Sequence, residues 1–251
     1  MSLPICKTIV LQNKPAYRKG ITLGKALFIS GTSIGVGKTY VAALIVKRLK
    51  DAGLDAGYYK AAISGAEKDE EDGTLHAGDA LYVKEIAELY ETQEELVSYV
   101  YEAATAPHLA AQLDNNPIDF DRVEKDYQRA LGSHDYLIME GIGGVICPLR
   151  WDQTDHLLLD DLVQRLGLGV LIVADAGLGT INATTLTLEH LRGRGIPIRG
   201  IILNRFHNGD IMEEDNLDMI EAITGVKVVA TVGSGDETLD MDAEALAAFF
   251  E

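Results

Sequence analysis

The sequence is poor in cysteine and has no long hydrophobic run, which argues against several classes of protein. Of 251 residues only Cys6 and Cys147 are cysteines, and their separation suits neither a disulfide framework nor a zinc site. No apolar stretch approaches the length of a membrane span, and charged residues such as Lys7 and Lys14 interrupt any signal-peptide core. We therefore expect a cytoplasmic protein with reduced thiols and no membrane partner.

Basic residues are also scarce. The chain has 22 Lys and Arg against 39 Asp and Glu, a formal net charge of −17. A nucleic-acid-binding protein usually carries a basic face, so this balance argues against a nucleic-acid partner. An acidic protein that binds phosphate has to do so locally, through backbone amides, one or two lysines and a metal ion.

Aromatic residues make up only 6% of the chain although 47% of it is hydrophobic. Such an aliphatic composition suits buried parallel strands covered by helices. Apolar runs and helical periodicities alternate along the chain, which predicts right-handed βαβ units. We expect a three-layer α/β/α fold of the P-loop NTPase type with a mainly parallel sheet, formed by one domain over residues 25–251. Residues 1–24 are interpreted as an N-terminal extension.

The predicted elements follow from these periodicities. Strands are expected at residues 8–11, 26–30, 57–60, 136–140, 169–174, 198–203 and 226–231. Helices are expected at residues 37–50, 79–90, 105–113, 119–131, 155–166, 181–191 and from 242 onward, and residues 64–77 are expected to form a loop.

A glycine-rich segment at residues 31–39, GTSIGVGKT, lies between a predicted strand and a predicted helix. Glycines let successive N–H groups point at one anion, and the following helix N-terminus favours negative charge. We predict a phosphate loop in which Lys38 reaches the outer phosphates and Thr39 binds Mg²⁺. The first glycine lies one residue earlier than in the strict P-loop pattern. The nucleotide-binding residues are expected to be Gly35, Val36, Gly37, Lys38, Thr39 and Tyr40.

Acidic side chains at two strand ends are candidates for the metal partner of this loop. Glu140 is followed by glycines that leave room for a ligand, and Asp175 ends the next strand. On the pattern alone either acid suits the role. Asp79, at a helix start, is more simply an N-terminal cap.

Further polar residues follow other predicted strands. Lys60 ends the predicted strand at 57–60, where a lysine can neutralise charge on a transferred phosphoryl group, and Ser64 follows it. Asn204, after the strand at 198–203, suits either base recognition or a turn. His108 follows Pro107, where a structural histidine is the more common case.

Several short segments in chain order resemble the dethiobiotin synthetase family. The resemblance rests on residues 31–39 (GTSIGVGKT), 57–65 (GYYKAAISG), 76–80 (HAGDA), 105–108 (TAPH), 139–144 (MEGIGG) and 178–182 (LGTIN), and on Asn204. Residues 26–205 span these segments, and the first 24 residues have no counterpart in the family.

The resemblance implies an ATP- and Mg²⁺-dependent ligase of biotin biosynthesis. Its substrates would be 7,8-diaminononanoate and CO₂ or bicarbonate, and its products dethiobiotin, ADP and phosphate. It implies catalytic roles for Lys38, Lys60 and Ser64, with Ser64 also touching the substrate, and it favours Glu140 over Asp175. The implied magnesium ligands are Thr39, Asp79 and Glu140.

The resemblance also implies a homodimer. The helix start at Thr180, Ile181 and Asn182 would receive the carboxylate tail of the substrate across the dimer interface, and Asn204 would contact the nucleotide base. The chain departs from the family pattern at Gly35, Ala61 and Ala183 and in the segment after Thr231, and the last difference concerns base recognition.

Two other functions fit a phosphate loop. A related amidoligase would normally add a glutamine-hydrolysing domain with a catalytic cysteine, for which this chain is too short. A nucleotide-switched partitioning or carrier ATPase would normally carry an extra lysine early in the loop, where this chain has Thr32.

Overall fold

The computed structural model describes residues 24–250. The predicted strand at 8–11 and nearly all of the N-terminal extension lie outside these residues. The strands, in chain order, are β1 Lys25–Gly31, β2 Ala56–Ser64, β3 Glu67–Lys68, β4 Leu75–His76, β5 Val97–Tyr101, β6 Tyr136–Glu140, β7 Pro148–Trp151, β8 His156–Leu158, β9 Val170–Asp175, β10 Ile198–Asn204 and β11 Val228–Val232.

Helices connect these strands and cover the sheet. They are α1 Lys38–Asp51, α2 Gly78–Ile86, α3 Gln93–Leu96, α4 Pro107–Leu113, α5 Phe120–Leu131, α6 Leu159–Leu166, α7 Thr180–Gly193, α8 Ile211–Thr224 and α9 Ala243–Ala247. None of the helices within residues 24–250 is long and apolar enough to cross a membrane.

Seven strands form one sheet in the order β11-β10-β9-β1-β6-β2-β5, and every neighbouring pair is parallel. Side chains alternate across β1, so Leu27 and Ile29 pack on the face covered by α1, α2 and α9. Ala26 and Phe28 pack on the face covered by α4 to α8. This arrangement confirms the predicted three-layer α/β/α fold. Because β1 is central, the segment that follows it lies at the middle of the carboxyl edge of the sheet.

Several segments differ from the sequence-based predictions. β2 continues to Ser64 instead of ending at Lys60, which places Lys60 in mid-strand. β5, α3 and α8 were not predicted, and α8 begins where Asp210 accepts hydrogen bonds from the amides of Met212 and Glu213. Residues 64–77, predicted as a loop, contain the small antiparallel hairpin of β3 and β4.

The predicted helix at 155–166 was wrong at its start. Residues 156–158 form β8, which pairs antiparallel with β7, and the helix begins at Leu159. The Asp152 carboxylate accepts hydrogen bonds from the amides of Thr154 and Asp155, which closes the turn between the two strands. The rings of Trp151 and His156 stack across the hairpin with centroids 4.3 Å apart. These local contacts outweigh the helical periodicity of the segment.

His134 connects Asp55 and Glu91 at the amino-terminal edge of the sheet. Its Nδ1 lies 2.9 Å from an Asp55 oxygen and its Nε2 lies 3.0 Å from a Glu91 oxygen. The ring packs on Gly57, where a Cβ atom would lie 2.2 Å from the imidazole. Burial alone would lower the pKa of His134, but the hydrogen bonds and charges of Glu91 and Asp55 outweigh it and raise the pKa.

The protonated imidazole should therefore stabilise the fold in a pH-dependent way. The pKa in the folded state exceeds the ordinary value of 6.5, so the contribution is complete below that pH and is lost as pH rises through the folded pKa. We expect His134→Gln to lower the free energy of unfolding by about 1 to 3 kcal/mol near pH 6 and by less near pH 9. Urea denaturation at both pH values measures this, and an equal loss at both would contradict it.

Candidate active site

The phosphate loop connects β1 to α1 through backbone that only glycine adopts easily. Gly35 and Gly37 have positive φ angles of 74° and 91°. A Cβ atom at Gly37 would lie 2.0 Å from Nδ2 of Asn204, so no side chain fits there. No described side chain caps the first turn of α1. Its amide groups therefore have no side-chain partner and could bind an anion.

Two residues at the end of β10 form hydrogen bonds with the backbone of this loop. Asn204 is buried and donates from Nδ2 to the Val36 carbonyl at 2.9 Å. Arg205, which has an unusual positive φ of 58°, donates to the Gly35 carbonyl at 2.7 Å. The other arm of its guanidinium binds Asp175 at 2.5 Å. Both contacts fix the loop in the shape that its glycines permit.

Arg205 had not been singled out from the sequence, although it directly follows the predicted candidate Asn204. The structure also settles where Asp175 lies. Its carboxylate accepts from Arg205 and from the amide of Gly177, so it supports the loop and takes no part in the cluster around Glu140.

Lys60, Glu140 and Asp79 form a charged cluster beside the loop. Lys60 is the register partner of Glu140 in the β2–β6 pair, and its Nζ lies 2.8 Å from Glu140 Oε1. The same ammonium lies 2.5 Å from Asp79 Oδ2. Thr39 donates from Oγ1 to Glu140 Oε1 at 2.8 Å. The structure therefore brings together four residues that the sequence assigned to phosphate chemistry and metal binding.

Tyr58 completes this cluster and was missed from the sequence. Its hydroxyl donates to Glu140 Oε2 at 2.7 Å. Burial, together with the negative charge of Glu140, raises the pKa of Tyr58 well above its ordinary value, so the hydroxyl stays protonated. Residues two apart on a strand share a face. The sequence could therefore have predicted that Tyr58 lies on the same face of β2 as Lys60.

The charges of the cluster reinforce one another. Burial opposes protonation of Lys60, but the carboxylates of Glu140 and Asp79 outweigh it and raise the pKa of Lys60. Burial likewise opposes ionisation of Asp79, and Lys60 outweighs it and lowers the pKa of Asp79. The pKa of Lys38 is lowered, chiefly because the side chain is buried. Lys60 is thus held as a cation between two anions.

The oxygen atoms of this cluster fit Mg²⁺. Magnesium prefers hydroxyl, carboxylate, phosphate and water oxygens, and usually takes only one or two carboxylates from the protein. Within residues 24–250 no three His, Cys, Asp or Glu side chains group as a complete metal site. Thr39, Asp79 and Glu140 would therefore leave positions open for water and for nucleotide phosphates.

A cavity of about 690 Å³ opens beside the cluster. One wall is the phosphate loop with Lys38 and Thr39, and the floor carries Lys60, Asp79 and Glu140. Ser64 also lines it and donates from its hydroxyl to the Thr105 carbonyl at 2.7 Å. The remaining wall, residues 104–107, 142–144 and 146–148, is largely apolar.

Other candidates lie away from this cavity. Thr180, Ile181 and Asn182 begin α7 but do not line the cavity of their own chain. The hydroxyl of Tyr40 donates to the backbone carbonyl of Asp236. His108 does not line the cavity either.

Cys147 lies in the apolar wall, where the sequence assigned it no role. Burial raises the pKa of its thiol to about 11. The sulfur is therefore a protonated, weakly nucleophilic group at neutral pH.

The chain is similar to known proteins over most of its length. A family model described as an AAA domain matches residues 25–240. An ATP-dependent dethiobiotin synthetase of Brachyspira hyodysenteriae is 45% identical over 229 residues, which cover 91% of this chain and 100% of that protein. A protein of the same name from Clostridium botulinum strain 657 is 40% identical, covering 90% of this chain and 98% of its own.

The chain belongs to the dethiobiotin synthetase family. The resemblance inferred from the sequence is thereby confirmed. Among solved structures, the MinC:MinD cell division protein complex of Aquifex aeolicus aligns with this family member at a TM-score of 0.51 and 16% identity, covering 85% of this chain and 83% of that chain. At that identity the likeness concerns the fold alone.

The hydrogen bond from Arg205 to the loop predicts an effect on nucleotide affinity. Arg205→Ala should weaken binding of a non-hydrolysable ATP analogue about fivefold, because one hydrogen bond contributes about 1 kcal/mol. Arg165→Ala, which removes an exposed arginine paired with Asp121 and Glu124, serves as the matched control. Isothermal titration calorimetry measures both, and equal affinities in the two variants would contradict the supporting role of Arg205.

Proposed function

We propose that this protein is an ATP-dependent dethiobiotin synthetase. It carboxylates 7,8-diaminononanoate with CO₂ and closes a cyclic urea, giving dethiobiotin, ADP and phosphate. The observation that carries the proposal is the position of Lys60 between Glu140 and Asp79, beside the phosphate loop and in one cavity with Ser64. These cations and carboxylates support a site where a nucleotide phosphate and a second anionic substrate would meet.

The reaction joins two anions, and charge neutralisation is the main task of the site. One amine of the substrate adds to CO₂ and loses a proton to become a carbamate. A carbamate oxygen attacks the γ-phosphorus of ATP and ADP leaves. The second amine then attacks the carbamate carbon, loses a proton and expels phosphate. Because the carbamate and the γ-phosphate repel each other, positioning and electrostatic stabilisation supply most of the catalysis.

Each charged residue has a defined task in this scheme. Lys38, at the start of α1, contacts the outer phosphates, and Lys60 offsets the charge of the carbamate and of the transferred phosphoryl group. Thr39, Asp79 and Glu140 would hold Mg²⁺, which would further neutralise the charge of the phosphate oxygens. Ser64, fixed by its bond to the Thr105 carbonyl, orients the carbamate or the diamine.

The carboxylate tail of the substrate is proposed to bind a second copy of the chain. Thr180, Ile181 and Asn182 start a 14-residue helix, and a helix N-terminus favours a carboxylate. These residues do not line the cavity of their own chain. A homodimer in which α7 of one protomer faces the cavity of its partner would bring the two parts together.

The nucleotide base is proposed to contact Asn204. Its Oδ1 is buried and has no hydrogen-bond partner among the described residues, and an adenine amino group that reached it would supply the missing donor. The loop residues Gly35 to Thr39 would bind the phosphates, and Tyr40 adjoins them on α1.

The alternative functions are less well supported. A partitioning or carrier ATPase is favoured only by the likeness to MinD, which concerns the fold, whereas relatives up to 45% identical are named dethiobiotin synthetases. The net charge of −17 supports a function without a nucleic-acid partner.

The proposed activity is tested by phosphate release from ATP and Mg²⁺ in bicarbonate buffer, with and without 7,8-diaminononanoate. Release that depends strongly on the diamine and accompanies dethiobiotin formation is expected. Slow release that ignores the diamine, from protein that still binds ATP, would favour a nucleotide switch.

The role of Lys60 predicts a large kinetic effect. Lys60→Ala should lower turnover by about a hundredfold or more, because it removes a charge aimed at the reacting phosphoryl group. Lys47→Ala, which removes an exposed lysine on α1 paired with Asp51, should keep normal turnover. Steady-state kinetics and circular dichroism measure activity and folding together. Normal turnover in folded Lys60→Ala protein would exclude the proposed role.

A shared site predicts complementation between two inactive variants. Lys60→Ala damages the reaction centre, and Asn182→Asp places a like charge where the substrate carboxylate would bind. In a mixed dimer one of the two sites has both parts intact, so co-expressed chains should recover about one quarter of normal activity. Failure to recover activity in a demonstrated mixed dimer would place both parts of the site on one chain.

A further inference from the structure

Two neighbouring tyrosines on β2 provide a natural comparison. Tyr58 and Tyr59 are both almost completely buried, with 1% and 0% exposure, and they project to opposite faces of the sheet. The hydroxyl of Tyr58 donates to Glu140 Oε2 at 2.7 Å. The hydroxyl of Tyr59 lies 2.6 Å from Ser98 Oγ and 3.1 Å from the Val123 carbonyl, away from the cavity.

The Glu140 carboxylate is held by different groups at its two oxygens. Oε1 accepts from Thr39 and Lys60, each at 2.8 Å, and Oε2 accepts from Tyr58. Thr39 and Lys60 lie in the cavity wall, whereas Tyr58 does not line it. The Tyr58 hydroxyl therefore holds the oxygen that is turned away from the loop and leaves Oε1 directed at Thr39.

We propose that Tyr58 is a positioning residue that fixes the orientation of Glu140 for binding of magnesium with the nucleotide. The proposal rests on the metal-binding role of Glu140 in the proposed function, but not on the diamine or on ligase chemistry. Tyr58 itself contacts neither nucleotide nor diamine.

The physical basis is that a ligating carboxylate binds best when its orientation is set in advance. A glutamate has several side-chain torsions, and its terminal torsion is broad. Partners of a ligand that do not touch the metal typically change metal affinity by about 10- to 100-fold when they are removed. Tyr58→Phe removes one oxygen atom and leaves the ring that packs against α1, so it isolates this hydrogen bond.

The test measures how much Mg²⁺ strengthens nucleotide binding, without any turnover. The dissociation constant of a non-hydrolysable ATP analogue is measured by calorimetry with excess EDTA and with Mg²⁺, and the ratio of the two values is the readout. We expect Tyr58→Phe to lower this ratio about tenfold or more and to leave the EDTA value close to that of the unsubstituted protein. Tyr59→Phe, which removes an equally buried hydroxyl on the other face, should retain the full ratio.

A double-mutant cycle tests whether Tyr58 acts through Glu140. Glu140→Gln should lower the ratio by itself, and adding Tyr58→Phe to it should cause little further loss, since residues that act as one unit are not additive. Additive effects would overturn the proposal. If Tyr58→Phe does not fold, Tyr58→Met gives the same comparison, because methionine fills irregular core space.

The remaining outcomes are also decisive. An unchanged ratio in Tyr58→Phe would overturn the proposal, as would equal losses in Tyr58→Phe and Tyr59→Phe, which would indicate a general packing effect. The expected outcome is a lowered ratio of dissociation constants in Tyr58→Phe and a full ratio in Tyr59→Phe. If this outcome is found in a protein that makes no dethiobiotin, the role of Tyr58 stands and only the proposed ligase activity is refuted.

Discussion

The structure depends most on one ion cluster, in which the buried Lys60 ammonium lies 2.8 Å from the buried Glu140 carboxylate and 2.5 Å from the half-exposed Asp79 carboxylate. A buried charge without a partner is strongly unfavourable, and removing one partner of a buried pair typically costs about 3 to 5 kcal/mol. The cluster therefore joins β2, β6 and the first turn of α2 into one unit. Lys38, Thr39 and Ser64, which are proposed to act on the phosphates and the carbamate, line the same cavity as that unit.

The cluster also explains how an acidic protein can bind a nucleoside triphosphate. With a net charge of −17, the chain as a whole repels anions, so attraction has to come from short-range groups. Lys38, Lys60 and the amides of the glycine loop provide positive charge and partial charge within one cavity. Arg205 adds a cation that donates a hydrogen bond to the Gly35 carbonyl of the loop. Its charge is neutralised by Asp175.

The sequence predicted the parts of the site that depend on local pattern. The glycines between a strand and a helix predict a loop whose amides point at one anion. The strand ending at Glu140 is predicted by a continuous apolar run. Lys60 was assigned to a strand end because the apolar residues after it, 61–63, were not recognised as more strand. Its pairing with Glu140 is a matter of register between strands distant in sequence, which no local pattern encodes.

Other features were missed for related reasons. The contact of Arg205 with Gly35 joins residues 170 positions apart in the chain. The bond from Tyr58 to Glu140 has the same non-local character, although the period of a strand placed Tyr58 on the face of Lys60. The β7–β8 hairpin was hidden because its stabilising contacts, a carboxylate turn and a stacked ring pair, compete with a helical periodicity that is real in residues 159–166.

The cavity is proposed to transfer the γ-phosphoryl group of ATP to an oxygen that came from CO₂. The most direct measurement is mass spectrometry of the phosphate and dethiobiotin formed from ¹⁸O-labelled CO₂ during a short incubation with ATP, Mg²⁺ and 7,8-diaminononanoate. One labelled oxygen in the phosphate and one in the urea carbonyl are predicted. Phosphate whose new oxygen comes only from water would contradict the account, because it would show that the protein hydrolyses ATP without phosphorylating a carbamate.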